Sequence, residues 1–257
     1  MELPPVARVL EGSAAIVTGA GSGMGEATAH LLAAAGAKVA VTDVTGAEER
    51  VAAAISARGD SAKAWRLDVA DHDAIRRVTG EVAEAFGGVA ILVNNAGVSA
   101  NLAIDAEWYD KEWEREIAVL LTAHQRLIRA ALPHLRTAAH PRIVNIASTE
   151  ALGATAGFSI YSAAKAGVTG LTRSLAIELG REGITVNCIC PGPVLTGMTA
   201  GIPDDAKATY AHRRTALRRY GLPLEVAHMT LSLVAPAASF VTGVTIPVDG
   251  GLMARNA

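Results

Sequence analysis

The sequence predicts an α/β fold, a doubly wound parallel sheet with helices on both faces. Three observations lead to it. Short apolar runs alternate with longer Ala- and Leu-rich runs along the chain, with short connections between them. The first apolar run enters a glycine-dense turn, TGAGSGMG at residues 18–25, that opens a helix-forming stretch. The composition, 51% apolar and 19% charged, suits strands buried on both faces and excludes a disordered chain. At 257 residues the chain can bury one large core. One α/β domain fits this length as well as two small ones do. No internal repeat or low-complexity linker divides it, so a single domain over residues 1–257 is expected.

In chain order, residues 14–17 (AAIV) read as a buried strand leading into the glycine turn. Residues 26–35 then form a helix stopped by Gly36. Strand, glycine turn and helix together aim backbone N–H groups and a helix N-terminus at a phosphate. The generic G-x-G-x-x-G spacing is not met, because Met24 stands where its third glycine would fall. The second strand, residues 38–42, ends on Asp43, where an acid can accept both ribose hydroxyls of an adenosine or simply cap a loop. A helix over residues 47–58, a strand over 62–67 ending at Asp68 and Val69, a helix over 71–86 and a strand over 89–93 follow, closed by the turn NNAG at 94–97.

A long helix is expected over residues 112–132, closed near Pro133, then a strand over 142–147 ending at Ser148, and a helix over 161–179. Residues 183–190 make a sixth strand that runs into Pro191, Gly192 and Pro193. Residues 194–221, mixed in Gly, Pro and charge, read as a lid over the strand ends. A last strand falls in TGVTIPVDGG at 242–251. The four arginines 213, 214, 218 and 219 have the spacing of a solvated helix face, a reading preferred to a phosphate patch.

Charge and cysteine usage narrow the function class. A net charge of −2 gives no electrostatic reason for nucleic acid or an anionic membrane. Two cysteines, Cys188 and Cys190, alternate within a strand and are too few for a disulfide framework or a zinc site, so no metal is expected. The first residues, with Glu2, Pro4 and Pro5, lack a basic-then-apolar pattern, and no apolar run reaches membrane-spanning length. A soluble cytoplasmic protein is the expectation.

The chemistry concentrates in residues 148–165. Tyr161 and Lys165 are four apart, so a helix sets them on one face, one turn apart. An ammonium beside a phenol favours the phenolate, so the Tyr161 pKa is expected to fall from about 10 into a range useful for proton transfer. Ser148, at a strand end, can hold a substrate oxygen in the same cleft. Taken singly, a YxxxK pair reads more readily as a surface tyrosine and a solvated lysine on an ordinary helix, because short motifs recur by chance. Its weight comes from what precedes and follows it.

Four features in order, TGAGSGMG, NNAG, Ser148 with YSAAK, and PGPVLT followed by VDGG, together resemble the classical short-chain dehydrogenase/reductase family over essentially the whole chain. The resemblance implies a Rossmann-type sheet of about seven strands, a nicotinamide dinucleotide and commonly a homotetramer. It assigns the adenosine and pyrophosphate to Gly19, Ser22, Gly23 and Met24, the adenine ribose to Asp43, and the adenine edge to Asp68 and Val69. Asn95, Ala96 and Gly97 would flank the cofactor, and Pro191, Gly192, Val194 and Thr196 would line the nicotinamide. Tyr161 would be the acid/base, Lys165 would lower its pKa and hold the nicotinamide ribose, and Ser148 would orient the substrate oxygen.

One position departs from the family pattern. Where the family carries an asparagine on the helix before the serine strand, this chain has Leu120. That asparagine and its helix carbonyl are thought to hold a water linking the lysine to solvent. Here either the carbonyl holds the water alone, which is the preferred account, or Glu116 or His124, which share the face of Leu120, takes over. His124 otherwise reads as a surface or packing residue. Leucine itself favours an unbroken helix.

These expectations make the chain an NAD-dependent dehydrogenase interconverting a secondary alcohol and a ketone. An NADP-dependent ketoreductase of acyl-thioester type ranks second, because neither Ala20 nor Gly21 is basic and Asp43 stands where a 2′-phosphate would sit. A dinucleotide-binding module without turnover ranks third. Residues 99–102, Glu150, Leu152, Phe158, Pro193 and Met198 are the candidate substrate pocket, mostly apolar and suited to a hydrophobic or cyclic alcohol. Glu150 stands either as a partner for a hydroxyl or cation, or as a helix-start acid.

Overall fold

The computed structural model describes residues 7–255. The sheet contains β1 (Ala14–Thr18), β2 (Lys38–Asp43), β3 (Ala62–Arg66), β4 (Ile91–Asn94), β5 (Arg142–Ile146), β6 (Thr185–Pro191) and β7 (Thr245–Val248). All pairings are parallel, in the order β3-β2-β1-β4-β5-β6-β7. The order reverses between β1 and β4, and at such a switch point a crevice opens beyond the carboxyl ends of the strands.

The pleat sorts side chains to two apolar layers. Ala15, Val17, Ile91, Val93 and Val144 face α1 (Gly23–Ala34), α2 (Ala47–Ser56) and α8 (Pro223–Val234), meeting Leu32, Val51, Ile55, Val226 and Leu233. Their strand neighbours Ile16, Leu92 and Ile143 point the other way, against α3 (His72–Phe86), α5 (Ala123–Leu135) and α6 (Ser159–Leu179), where Ile75, Val78, Leu127 and Ile128 wait. Each fully buried Leu or Ile of this kind stabilises the fold by about 1.5–3 kcal/mol.

Three elements differ from the sequence expectations. First, α1 begins at Gly23, inside the glycine turn and ahead of residue 26, with Ser22 extended at its N-cap. Second, the long helix is not unbroken. The segment α4 (Tyr109–Ile117) passes into a π-helical turn, Ala118–Thr122, and then into α5, which continues past Pro133 to Leu135. Leu120 therefore sits in a wide turn, where local propensity for α is overridden by tertiary packing. Third, α8 has no counterpart in the expectations. Pro223 at its first turn and Glu225, which accepts from the backbone N–H of Leu222, start it.

The excursion after β6 is gathered at its neck: Leu195 N donates to Gly221 O and Gly221 N to Pro193 O, at 2.9 and 2.8 Å. Within it lies α7 (Asp204–Arg214). The four arginines do not share a helix face, because α7 ends at Arg214, Arg218 takes a left-handed φ of 54°, and Arg219 pairs with Glu225. No helix among the described residues is long and apolar enough to cross a membrane.

Candidate active site

A cleft of about 810 Å³ runs along the carboxyl ends of the strands at the switch point. Its floor is the joint of β1 and β4. Thr18 Oγ1 accepts from the backbone N–H of Asn95 and Ala96, both at 3.0 Å, and Asn95 Nδ2 donates to Thr18 O at 2.8 Å. The glycines are sterically required here. A Cβ on Gly25 would stand 2.1 Å from Gly19 O, and Gly19 and Gly23 hold φ of 63° and 54°. Gly19 and Gly23 thus present bare backbone to the cleft, with Ser22 and Met24 beside them at the uncapped start of α1.

At the far end Asp43 closes β2. Its Oδ2 accepts from Gly21 N at 2.9 Å, and its Oδ1 from Thr45 N and Thr45 Oγ1 at 2.9 and 2.7 Å. Any side chain at Gly21 would collide with this carboxylate, since a Cβ would lie 2.9 Å from Oδ2. Asp68 and Val69 line the neighbouring wall, as do Asn95, Ala96 and Gly97. A bare glycine turn at a helix start, with a fixed acid one strand away, fits a nicotinamide dinucleotide: backbone donors for the pyrophosphate and an acceptor for the ribose.

At the other end α6 brings Tyr161 and Lys165 into the cleft, one turn apart. Lys165 Nζ donates to Ile146 O at 2.8 Å and lies 5.6 Å from the Tyr161 ring centroid. Ser148 follows β5 in extended backbone, its Oγ accepting from Glu150 N at 3.1 Å and facing the phenol. Thr196 and Met198 cover the cleft from the excursion after β6. Pro191, Gly192 and Val194 lie beneath, Pro191 and Val194 buried, and do not line it.

The proposed pocket residues are placed unevenly. Phe158 packs edge-on against Tyr161, ring centroids 6.4 Å apart. Leu152 is exposed, and Pro193 is half-buried at the neck of the excursion. Glu150 is occupied within the protein: one oxygen accepts from Thr155 Oγ1 at 2.7 Å, the other from Thr155 N and Ser162 Oγ at 2.8 and 3.2 Å. It ties the loop after β5 to α6. The sequence reading overlooked Arg115 and Val119, which line the cleft from the long helix. Their i,i+4 spacing is the signal that could have found them.

The electrostatics overturn one expectation. In the protein alone the Tyr161 pKa is pushed up to about 12. Burial is the main cause, opposed by the Ser148 hydroxyl and reinforced by Glu116 and Glu150. The ammonium on the same helix face does not outweigh burial. Lys165, only 3% exposed, is itself brought down to about 8 by burial, although the two cysteines and Glu116 act to raise it. His124 is buried, not on the surface. Burial and the nearby Lys165 push it down to about 3, so it is neutral at physiological pH.

The Lys165 shift has a measurable sign. Its folded-state pKa lies below the ordinary 10.5, so between about pH 8 and 10.5 the unfolded chain binds more protons and stability rises with pH. Lys165→Met is therefore expected to be more stable than the parent at pH 7. That advantage should shrink as the pH is raised towards 10, and dinucleotide affinity should be weaker. Thermal denaturation across pH reads it, and a Tm difference that ignores pH would contradict it.

Comparison with known proteins agrees with this geometry. Residues 19–253 match the family described as Enoyl-(Acyl carrier protein) reductase. The chain is 41% identical over 240 residues to a cis-4-hydroxycyclohexanecarboxylate dehydrogenase of Sinomonas cyclohexanicum, covering 93% of this chain and 96% of the relative. It is 40% identical over 247 residues to a 3-oxoacyl-(acyl-carrier-protein) reductase of Vibrio cholerae, covering 95% and 98%. A short-chain dehydrogenase from Burkholderia cenocepacia, solved in complex with NADP, superposes with a TM-score of 0.89 at 37% identity, covering 95% of this chain and 99% of that one. A parallel sheet of this order, a dinucleotide cleft at its switch point and relatives at this identity over nearly full length place the chain in the short-chain dehydrogenase/reductase family of oxidoreductases.

Proposed function

We propose that the protein oxidises a secondary alcohol to a ketone, or runs the reverse, with NAD as its dinucleotide. The observation that carries this is the convergence of Tyr161, Lys165 and Ser148 at one end of a cleft whose other end is closed by Asp43. A bound nicotinamide dinucleotide supplies the hydride acceptor or donor. The protein's own residues supply the rest. Ser148 holds the substrate oxygen, Tyr161 gives or takes its proton, and Lys165 anchors the ribose and holds charge beside the phenol. Met198 and Val119 line the cleft and Phe158 packs against Tyr161, apolar surroundings that favour a hydrophobic or cyclic alcohol, and the similarity to a dehydrogenase of a cyclohexane ring acid supports that class.

A second reading, an NADP-dependent reductase of acyl thioesters, is favoured by the 40% identical 3-oxoacyl reductase and the NADP-bound neighbour. A panel of cyclic, aromatic and steroidal alcohols and of β-ketoacyl thioesters, each with both dinucleotides, separates the readings. Turnover of the ring alcohols with NAD is expected. Turnover confined to thioesters with NADPH would establish the second, and dinucleotide binding with no turnover at all would point to a binding module.

A cytoplasmic homotetramer is part of the same proposal. Exposed Ile177 on α6 and half-exposed Trp113 on α4 supply apolar contact for a two-fold axis along these helices. Light scattering at micromolar concentration is expected to give four chains per particle, and a monomer would contradict it.

A further inference from the structure

Glu116 stands on the last turn of α4, one turn ahead of Leu120, with no exposed surface. A buried carboxyl group is costly unless its oxygens are partnered. Oε1 accepts from the backbone N–H of Ala100 at 2.5 Å, while Oε2 has no partner among the described residues. A peg for Ala100 needs only one oxygen, and an apolar side chain would suit the burial better. The second oxygen is placed for a ligand that the protein itself does not provide.

The groups that face it narrow that ligand. From its own helix come Glu112 and Arg115, which are paired with each other. From α6 come Lys165 and Tyr161, both within its electrostatic reach. Lys165 Nζ has three donors, and Ile146 O is its one hydrogen-bond acceptor among the described residues. Beyond Lys165 lie the thiols of Cys188 and Cys190 from β6 and the neutral His124 from α5. Glu150 faces Tyr161 but is spent on Thr155 and Ser162. The Leu120 side chain offers no polar atom, and its backbone carbonyl accepts but cannot change charge. Among the described residues, Glu116 is therefore the one titratable group near Lys165 that combines a free carboxylate oxygen with a charge able to change.

We propose that Glu116 is the proton-handling partner of the Tyr161–Lys165 pair, its Oε2 holding a water that reaches Lys165 Nζ while its Oε1 fixes the loop at Ala100 that walls the cleft. This rests on the dehydrogenase reading above. In the oxidative direction the substrate hydroxyl proton ends on Tyr161 Oη. That Oη–H bond then breaks, the proton passes by way of Lys165 Nζ and water, and an O–H bond forms on Glu116, which returns the proton to solvent water. No electrons move in this step, and reduction runs it backwards. Burial raises the Glu116 pKa above the usual carboxylate range, opposed by the Ala100 N–H and aided by Glu112, which brings it nearer to neutral pH. Glu116 replaces the preference for a carbonyl-held water with a carboxyl-held one.

Glu116→Gln tests this, because the amide oxygen still accepts from Ala100 N–H but cannot ionise. Tm is expected to match the parent and dinucleotide affinity to stay within about twofold of it, with kcat lowered at least about tenfold at unchanged KM and the acidic limb of its pH profile lost. Glu116→Asp should recover part of that limb. In the dinucleotide-free protein, the Tyr161 phenol, read as the ultraviolet titration difference from Tyr161→Phe, should ionise at lower pH in Glu116→Gln, because a negative neighbour is gone. An unchanged kcat, pH profile and phenol titration would reduce Glu116 to a structural peg and overturn the proposal.

Should Glu116→Gln fail to fold, the carboxyl carbon resonance of Glu116 in the otherwise unmodified protein decides. Its midpoint is expected above the ordinary range and higher still in Lys165→Met, whereas a midpoint indifferent to Lys165 would overturn the proposal. Both titrations read out even if no alcohol is ever turned over, so failure of the dehydrogenase reading and failure of this one are distinguishable.

Discussion

Tyr161→Phe is expected to lower kcat by about 10² to 10⁴-fold or more, the range general acid–base catalysis commands. The change removes one oxygen and its proton and leaves the ring, so the edge-on contact with Phe158 survives. Dinucleotide affinity should hold, because the glycine turn and Asp43 lie at the other end of the cleft. The unliganded phenol, held near 12, is mostly protonated at neutral pH. In the oxidative direction it must first lose that proton, so the rate should climb with pH on the alkaline side. Steady-state kinetics with a turned-over alcohol check both points. A variant retaining most of its kcat would remove Tyr161 from the mechanism.

The second large effect is expected at Asp43. Two like charges about 4 Å apart repel by about 4 kcal/mol at the effective dielectric of a protein surface. A 2′-phosphate entering beside this carboxylate meets that repulsion, and the carboxylate cannot swing aside: Gly21 N, Thr45 N and Thr45 Oγ1 hold both of its oxygens. Preference for NAD over NADP in kcat/KM is therefore expected at about 10²-fold or more. Asp43→Ala should bring the two within about tenfold, chiefly by losing NAD affinity and admitting the phosphate. Equal kcat/KM for both dinucleotides in the unmodified protein would contradict this account of Asp43.

What could be read from the chain divides along a physical line. The β1–turn–α1–β2 unit is legible because every signal in it is local: glycines that only a close backbone approach explains, an apolar run before them and an acid at a fixed distance after. The i,i+4 pairing of Tyr161 and Lys165 is legible for the same reason. The π turn at Ala118–Thr122 is not, since AVLLT winds equally well as α and only tertiary packing, of α5 against the sheet and of α4 against α6, distinguishes the wider turn. The phenol was misjudged because Lys165 is a sequence neighbour, while the burial and the Glu116 and Glu150 charges that outweigh it arrive through the fold. Glu150 stayed ambiguous until Thr155 and Ser162 were seen to take its oxygens. Leu120 shows the reverse: its departure from the family pattern is visible in sequence, and the structure then draws attention to Glu116, one turn away.

The central claim is that this cleft moves a hydride from a carbinol carbon to a nicotinamide ring under the control of Tyr161. A secondary alcohol deuterated at that carbon, incubated with the protein and NAD, tests it most directly by mass and magnetic resonance analysis of the recovered dinucleotide. The account predicts one deuterium per ketone formed, carried on one face of C4 of the reduced ring, and transfer slowed by about 10²-fold or more with Tyr161→Phe. Deuterium released to solvent, or equal transfer by Tyr161→Phe, would contradict it.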